Sequence, residues 1–546
     1  MHLTSSTSLG TSLVRNLALA AVVIAASAAT ADPRRPVVST SDGPVRGISS
    51  GGIDRFLGIP YAAAPVGNLR WRPPQPHGRW HGVREATAFA NHCSQFASPF
   101  GLASTTEDCL YLNVFKPARG DDDNEQGDEQ GDDGGDEGHE GRLPVMVWIH
   151  GGALVVGESD DYDPVRLLRH GVVVVTINYR LGAFGFLAHP ALTAESPAHA
   201  SGNYGLMDQQ AALQWVRRNI RSFGGDPSRV TIFGESAGGL SVHSHLASPL
   251  SAGLFHRAIV ESGAYSLTQP SLSQAEALGE VVATLVGCTN QTAACLRAQS
   301  VESLLLAFAR LPVPTTLPDV EGLVLTQSIG ASFTSGQFNH VPVIEGSNHD
   351  EWRLFVALDY DLVSGPLTPD QYIEAIMATL GVDQPTAEFF ATVYPVANYP
   401  STDLALAAMG TDAIFACNSR KSARLLSQYV PTFAYEFNDE NAPQPFLPPV
   451  SFPYASAHAS EIQYVLNLRH TVPAPDLTAE QRRLARAMVT YWTNFARTGS
   501  PNWFGEPFWP AYESASDEMQ SLVPPVPETE TGFAVDHKCV IWAPTP

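Results

Sequence analysis

The run Gly234-Glu235-Ser236-Ala237-Gly238-Gly239 follows the apolar stretch Val230 to Phe233 and leads into a helical pattern. That is a G-x-S-x-G motif at a strand-to-helix turn, a setting in which a serine hydroxyl projects into a cleft as a nucleophile. Positions 234 and 238 need small residues because a Cβ would collide in so tight a turn. The N-terminus of the following helix favours developing negative charge. The chemistry is acyl transfer, which also needs a base, an acid to orient it and donors for an oxyanion. A glycine-rich turn without chemistry is the competing reading, and the residues downstream decide between the two.

In this arrangement the acid and then the histidine follow the serine in chain order. After the strand-like Val341 to Ile344 comes Glu345-Gly346-Ser347-Asn348-His349-Asp350-Glu351, and composition leaves Asp350 and Glu351 equally open as the acid. Three histidines lie beyond that loop, at 458, 470 and 537. His458 sits in Ala455-Ser456-Ala457-His458-Ala459-Ser460, after a strand-like Thr432 to Phe437 and a proline-rich connection, and is the best-placed base. His470 and His537 read as solvated or capping side chains. Trp148-Ile149-His150-Gly151-Gly152-Ala153 ends a buried strand with two glycines, so backbone amides can approach an oxyanion, and the Ala237 amide supplies a further donor.

These groups need a rigid frame. Pro144 to Ile149, Gly171 to Ile177, Val230 to Phe233 and Val341 to Ile344 are short, Val/Ile-rich runs bounded by Gly, Asn or Pro, as strands are. Between them Asp208 to Phe223 carries Ala211, Ala212, Trp215, Val216 and Ile220 on one face and arginines on the other, the pattern of a surface helix lying on a sheet. Alternating strands and helices predict the α/β class. No repeat of 20 to 50 residues and no long Pro- or Ser-rich linker divides the chain, so residues 32–546 read as one elaborated domain.

Composition sets the surroundings. The 546 residues carry 32 Lys and Arg against 55 Asp and Glu, a net charge of -23, which argues against nucleic acid as a partner. Asp121 to Glu140 holds eleven acidic residues and no basic one, and this stretch, 120–141 with its borders, is expected to be a solvated, disordered surface loop. Arg15, the apolar Leu17 to Ala29 and Ala29-Thr30-Ala31 fit a signal peptide over residues 1–31 cleaved after Ala31, giving a secreted or periplasmic protein. No other segment approaches the roughly 20 apolar residues of a membrane span. In an exported chain six cysteines read as three disulfides. Spacing suggests Cys93 with Cys109 and Cys288 with Cys295, leaving Cys417 and Cys539. No C-x-x-C pair or histidine cluster at zinc-ligand spacing occurs, so neither a metal nor an organic cofactor is expected. Asn290-Gln291-Thr292 is a glycosylation sequon in a host that glycosylates.

With these residues in place the chain resembles the type-B carboxylesterases, the α/β-hydrolase family that includes para-nitrobenzyl esterases, fungal lipases and cholinesterases. The resemblance runs from about residue 36 to the end. It is carried by Phe56-Leu57-Gly58-Ile59-Pro60-Tyr61-Ala62, Glu107-Asp108-Cys109-Leu110-Tyr111-Leu112-Asn113, Asn178-Tyr179-Arg180-Leu181-Gly182 and Phe223-Gly224-Gly225-Asp226-Pro227. Trp492 to Asn502 and Cys539-Val540-Ile541-Trp542 resemble the family's closing signatures. The resemblance implies a mostly parallel sheet flanked by helices, with large insertions shaping a gorge.

The resemblance also implies that Glu351 is the triad acid with Asp350 its neighbour, that His458 is the base, and that the oxyanion donors are Gly152, Ala153 and Ala237. It supports the three disulfides. Ser262-Gly263 resembles a serine that braces the site in relatives, a buried structural serine being the other reading, and Glu235 precedes the nucleophile as a supporting residue. Ala153 stands where a third Gly is commonest, Trp352 follows the acid where many relatives have Gly, and the acidic insert has no family counterpart. The Cys93 to Cys109 loop holds Phe96 and Phe100 but no Trp for a cation–π contact, so choline esters are a poor first guess. A carboxylesterase for short to medium acyl chains is expected. A lipase, an amidase or a polyester or carbamate hydrolase on the same triad, and a non-catalytic binding module, are the alternatives.

Overall fold

A computed structural model describes residues 35–118, 141–311, 316–469, 471–472 and 474–542. The expected signal peptide, the acidic stretch 121–140 and His470 lie outside the described residues.

Eleven strands form the main sheet: β1 (Ile48–Ser50), β2 (Ile53–Pro60), β3 (Tyr111–Pro117), β4 (Leu143–Ile149), β5 (Val173–Ile177), β6 (Gly225–Glu235), β7 (Arg257–Glu261), β8 (Val343–Asn348), β9 (Thr432–Phe437), β10 (Met519–Leu522) and β11 (Glu528–Glu530). Their spatial order is β11-β10-β9-β8-β7-β6-β4-β5-β3-β2-β1. Neighbours from β5 across to β10 are parallel. The two flanks, β3 to β1 and β11, run antiparallel. β6, which delivers Ser236, therefore lies at the centre of the sheet.

A sheet buried on both faces sends alternate side chains into two cores. Val145, Val147 and Ile149 of β4 join one core, with Leu213 and Trp215 of α1 (Tyr204–Asn219) and Leu240 and Val242 of α2 (Ala237–Ala247). Met146 and Trp148 join the other. There α4 (Ala479–Thr498) contributes Leu484, Met488 and Trp492, its ends fixed by a Thr478–Gln481 capping box and by Gly499 at φ 86°. Between α2 and α4 in the chain lies α3 (Cys417–Leu426), which packs on β8 and β9.

Two elements are longer than their hydrophobic pattern implied. The helix expected from Asp208 begins at Tyr204 and ends at Asn219, passing into a 3-10 turn over Ile220–Phe223. Its first turns are hidden from a periodicity argument because Asp208 is buried against Arg180, with Nε 2.7 Å from Oδ2. Likewise β8 runs on past Ile344 to Asn348: the polar Glu345, Ser347 and Asn348 are fully buried, Glu345 and Asn348 bonding through their side chains and Ser347 pairing with β9 through its backbone.

Disulfides join Cys93 to Cys109, Cys288 to Cys295 and Cys417 to Cys539, the pairing expected. Among the described residues no helix is long and apolar enough to cross a membrane.

Candidate active site

The turn after β6 shows why its glycines are glycines. A Cβ on Gly234 would stand 2.5 Å from the Ile149 carbonyl oxygen, and one on Gly238 only 2.0 Å from it. Ser236 takes φ 57°, a left-handed conformation that is uncommon for a residue with a side chain. Gly239 and Gly263 meet backbone to backbone, a Cβ on Gly239 falling 2.7 Å from the Gly263 Cα. That contact lets α2 start flush against the end of β7. The Ser236 amide donates to the Glu261 carbonyl at 2.8 Å, and the Ser262 amide to the Gly346 carbonyl at 2.9 Å. Each strand end is thus tied to the next one along, β6 to β7 to β8.

Beyond β8 the chain presents Glu351, wholly buried, to His458, which is 4% exposed. His458 Nδ1 and Glu351 Oε2 are 2.6 Å apart. The other carboxylate oxygen, Oε1, accepts the Ser262 hydroxyl at 2.5 Å and the Asn348 amide at 2.8 Å. Asp350 turns the other way, its Oδ1 2.7 Å from Arg353 Nη2, so geometry separates the two acids that composition could not. His458 Nε2 makes no hydrogen bond: Glu235 Oε1 is 3.2 Å away but poorly aligned. Bonds of this kind commonly tighten only when substrate is present. The rings of Phe415 and Phe355 pack against His458, with centroids 4.8 Å and 5.1 Å from it.

On the other side of Ser236, Gly151 approaches so closely that a Cβ there would be 2.8 Å from the Glu235 carbonyl oxygen. Gly152 has φ 93°, and a Cβ on it would lie 2.2 Å from the Val156 carbonyl oxygen. Ala153 and Leu154 follow in left-handed conformations, φ 54° and 61°. The turn is braced by Tyr179, whose hydroxyl donates to the His150 carbonyl at 2.7 Å while its ring stacks on the imidazole. Among the described residues the amides of Gly152, Ala153 and Ala237 donate to no group. Three amides in the turns on either side of Ser236 thus lack an acceptor among the described residues.

Three more buried glutamates lie beside the Glu351–His458 pair, making four in all: Glu235, Glu261 and Glu461 join Glu351. Among the described residues no Lys or Arg forms an ion pair with any of them, and like charges in a low-dielectric interior cannot all ionise. Burial, reinforced by the charges of Glu351 and Glu261, pushes Glu235 well above the usual carboxylate range. Burial raises Glu461 in the same way, with the charges of Glu235, Glu261 and Glu351 adding to it. Glu261 is pushed up to about 7 by burial, offset in part by the Trp492 Nε1–H that it accepts at 2.8 Å. Of the four, Glu351 alone faces a histidine with one oxygen and collects two hydrogen bonds on the other.

Sequence reasoning did not single out Asn348 or the two phenylalanines. Asn348 holds the acid loop through its backbone amide and, through Nδ2, reaches Glu461 at 2.5 Å and the Ala457 carbonyl at 3.0 Å. The run Gly346-Ser347-Asn348-His349-Asp350-Glu351 contained that signal in its asparagine. One expectation is corrected: His537 is not a solvated or capping side chain but is 3% exposed, with Nδ1 2.7 Å from Asp412 Oδ1 and Nε2 2.6 Å from Glu436 Oε1. Burial alone would lower its pKa, but the charge of Glu436 and the bonds to Asp412 and Glu436 outweigh burial and hold it up at about 10. The two carboxylates come from distant segments, which nothing local to residue 537 could announce.

Known proteins similar to this chain include named esterases. The profile described as "Carboxylesterase family" matches residues 34–538. A pyrethroid hydrolase, Ces2e, of Rattus norvegicus is 35% identical over 524 residues, covering 91% of this chain and 88% of that protein. A cocaine esterase of Homo sapiens is 35% identical, covering 94% and 91%. A fumonisin B1 esterase of Sphingopyxis macrogoltabida is 35% identical, covering 92% and 89%. Agreement of this extent, end to end and on an α/β scaffold with a mostly parallel sheet, places the chain in the carboxylesterase family of α/β-hydrolases, enzymes that hydrolyse carboxylic esters.

Proposed function

We propose that this chain is a secreted serine carboxylesterase acting on esters of short to medium acyl chains through Ser236, His458 and Glu351. Ser236 Oγ attacks the ester carbonyl as its proton passes to His458 Nε2, the ring nitrogen left without a partner. Glu351 holds Nδ1 and stabilises the imidazolium that forms. The amides of Gly152, Ala153 and Ala237 receive the oxyanion; losing one such donor typically adds about 2.7–4 kcal/mol to the barrier. The alcohol leaves with the proton from Nε2, and water, activated by the same nitrogen, then hydrolyses the acyl-enzyme. No step calls for a cofactor.

The observation that carries the reading is the two-sided grip on Glu351: Ser262 and Asn348 on Oε1, His458 on Oε2. A glutamate so held cannot swing away, so Nε2 keeps one direction. Burial holds the Glu235 carboxyl group, 3.2 Å from Nε2, well above the usual carboxylate range. Three disulfides fit an oxidising compartment and support export.

The test is hydrolysis of para-nitrophenyl esters from acetate to palmitate by the chain beginning at Asp32, with Ser236→Ala alongside. Activity peaking at short acyl chains and lost in Ser236→Ala is the expected result. A long-chain optimum moves the assignment to a lipase, and activity surviving in Ser236→Ala removes the triad reading.

A further inference from the structure

Beside the Glu351 loop, four segments bring together side chains that the esterase chemistry does not use. His349 comes from the end of β8, Glu436 from β9, Glu530 from β11 and His537 from the C-terminal segment anchored by Cys417–Cys539. One ring nitrogen of His349, one carboxylate oxygen of Glu436 and one ring nitrogen of His537 all lie within 4.8 Å of one another. The two imidazole centroids are 5.3 Å apart. Glu530 hydrogen-bonds to Glu436, carboxyl to carboxyl, and its Oε1 is buried without a partner.

Two imidazoles and one carboxylate converging on one point are three of the donors of a four-coordinate nitrogen–oxygen metal site, and Glu530 stands against the carboxylate of Glu436. Behind His537 stands Asp412, its Oδ1 2.7 Å from Nδ1, which fixes the ring with Nε2 directed at Glu436. A carboxylate placed behind a histidine in this way is the usual outer partner of a metal-bound imidazole. Nε2 and Glu436 Oε1 are 2.6 Å apart. Ligand atoms about 2.0–2.2 Å from a tetrahedral ion stand about 3.3 Å from each other, so this pair need open by only about 0.7 Å. His349, its side chain 39% exposed, sits at the outer rim and offers a path for entry.

The competing reading is a buried ion triad, Asp412–His537–Glu436, that fastens the C-terminus. It accounts for His537 but not for Glu530, a second carboxyl group pressed against Glu436 with one oxygen unbonded. The nearby cations are engaged elsewhere, Lys538 Nζ 3.9 Å from Asp412 and Arg353 on Asp350. We propose that His349, Glu436 and His537, with Glu530 bracing Glu436, bind one divalent transition-metal ion of the zinc class, clamping the C-terminal segment to the loop that carries Glu351. The ion is structural and takes no part in ester hydrolysis.

The experiment strips tag-free full-length enzyme with EDTA, loads it with zinc chloride, removes free metal by gel filtration and counts zinc per chain by elemental analysis. Cobalt(II) replaces zinc in parallel to read the ligand field. His349→Ala at the rim and the isosteric Glu530→Gln are compared with the parent, with esterase activity confirming that each variant is folded; Ser236→Ala serves as a site-independent control. One zinc per chain in the parent and in Ser236→Ala, the absorption of four-coordinate cobalt, and at least tenfold weaker binding in His349→Ala and Glu530→Gln are expected. A parent that retains no zinc overturns the proposal. So does retention that is equal in all four proteins, since the ion would then lie elsewhere.

Discussion

Removing the Ser262 hydroxyl tests the reasoning about the site most directly. Glu351 Oε1 accepts two hydrogen bonds, from Ser262 Oγ at 2.5 Å and the Asn348 amide at 2.8 Å, and the carboxylate has no exposed surface through which water could replace either. A hydrogen bond to a charged group contributes about 1.5–3 kcal/mol. At about 1.36 kcal/mol per decade, Ser262→Ala lowers kcat/KM roughly 10- to 150-fold. The loss falls on kcat, because Ser262 bonds the acid and lies behind it. Ser262 also has φ 51°, so glycine at this position relieves backbone strain of about 1–2 kcal/mol while deleting the same hydroxyl. Ser262→Gly therefore melts at a higher temperature than Ser262→Ala and is equally slow. Steady-state kinetics on a para-nitrophenyl ester and thermal melts of both variants supply the data. If Ser262→Gly kept parental kcat, the hydroxyl would be irrelevant and the serine merely a buried filler.

Three further outcomes are expected. Glu235 keeps its proton in the folded chain at a pH where the unfolded chain has lost it, so this residue makes folding less favourable as pH rises from the usual carboxylate range toward its raised value. Glu235→Gln has no such dependence, and urea midpoints measured from about pH 5 to about pH 8 diverge in favour of the variant; parallel curves would remove the argument. Replacing Cys417 and Cys539 by alanine opens a link across a sequence separation of 122 and destabilises the fold by about 2–5 kcal/mol, read as a lowered Tm, with an unchanged Tm as the contrary result. The Gly152-Ala153 turn admits bulky alcohol groups, so a tert-butyl ester is turned over as well as its n-butyl counterpart. Good turnover of the n-butyl ester alone would count against that.

The proposed nucleophile was legible because its turn is intolerant: Gly234 and Gly238 both crowd the Ile149 carbonyl, so the motif cannot vary without collision. β9 was read to its ends because its aromatic-rich run is broken only by Glu436. The proposed acid was legible only through resemblance, since Asp350 and Glu351 are adjacent carboxylates and only the direction of each side chain tells them apart. Asn348 and Glu345 were hidden because a polar residue inside a buried strand looks like a loop residue until its partner is known. For Glu345 that partner is His243, 2.7 Å away and 102 positions earlier. His537 was misread for the same reason. Long-range pairings between charged groups leave no periodicity, and glycines such as Gly239 and Gly263 reveal their need only when two backbones touch.

The relay of amides from Ser236 to the Glu261 carbonyl, and from Ser262 to the Gly346 carbonyl, continues the pairing of β6, β7 and β8 past their last residues. A slip of one residue between any two of these strands would turn Ser236, Ser262 or the Glu351 loop toward the opposite face of the sheet. Hydrolytic power is therefore a gauge of alignment: it arrives only when the central strands have found their final register. A half-assembled chain, its central strands out of register, cannot attack an ester.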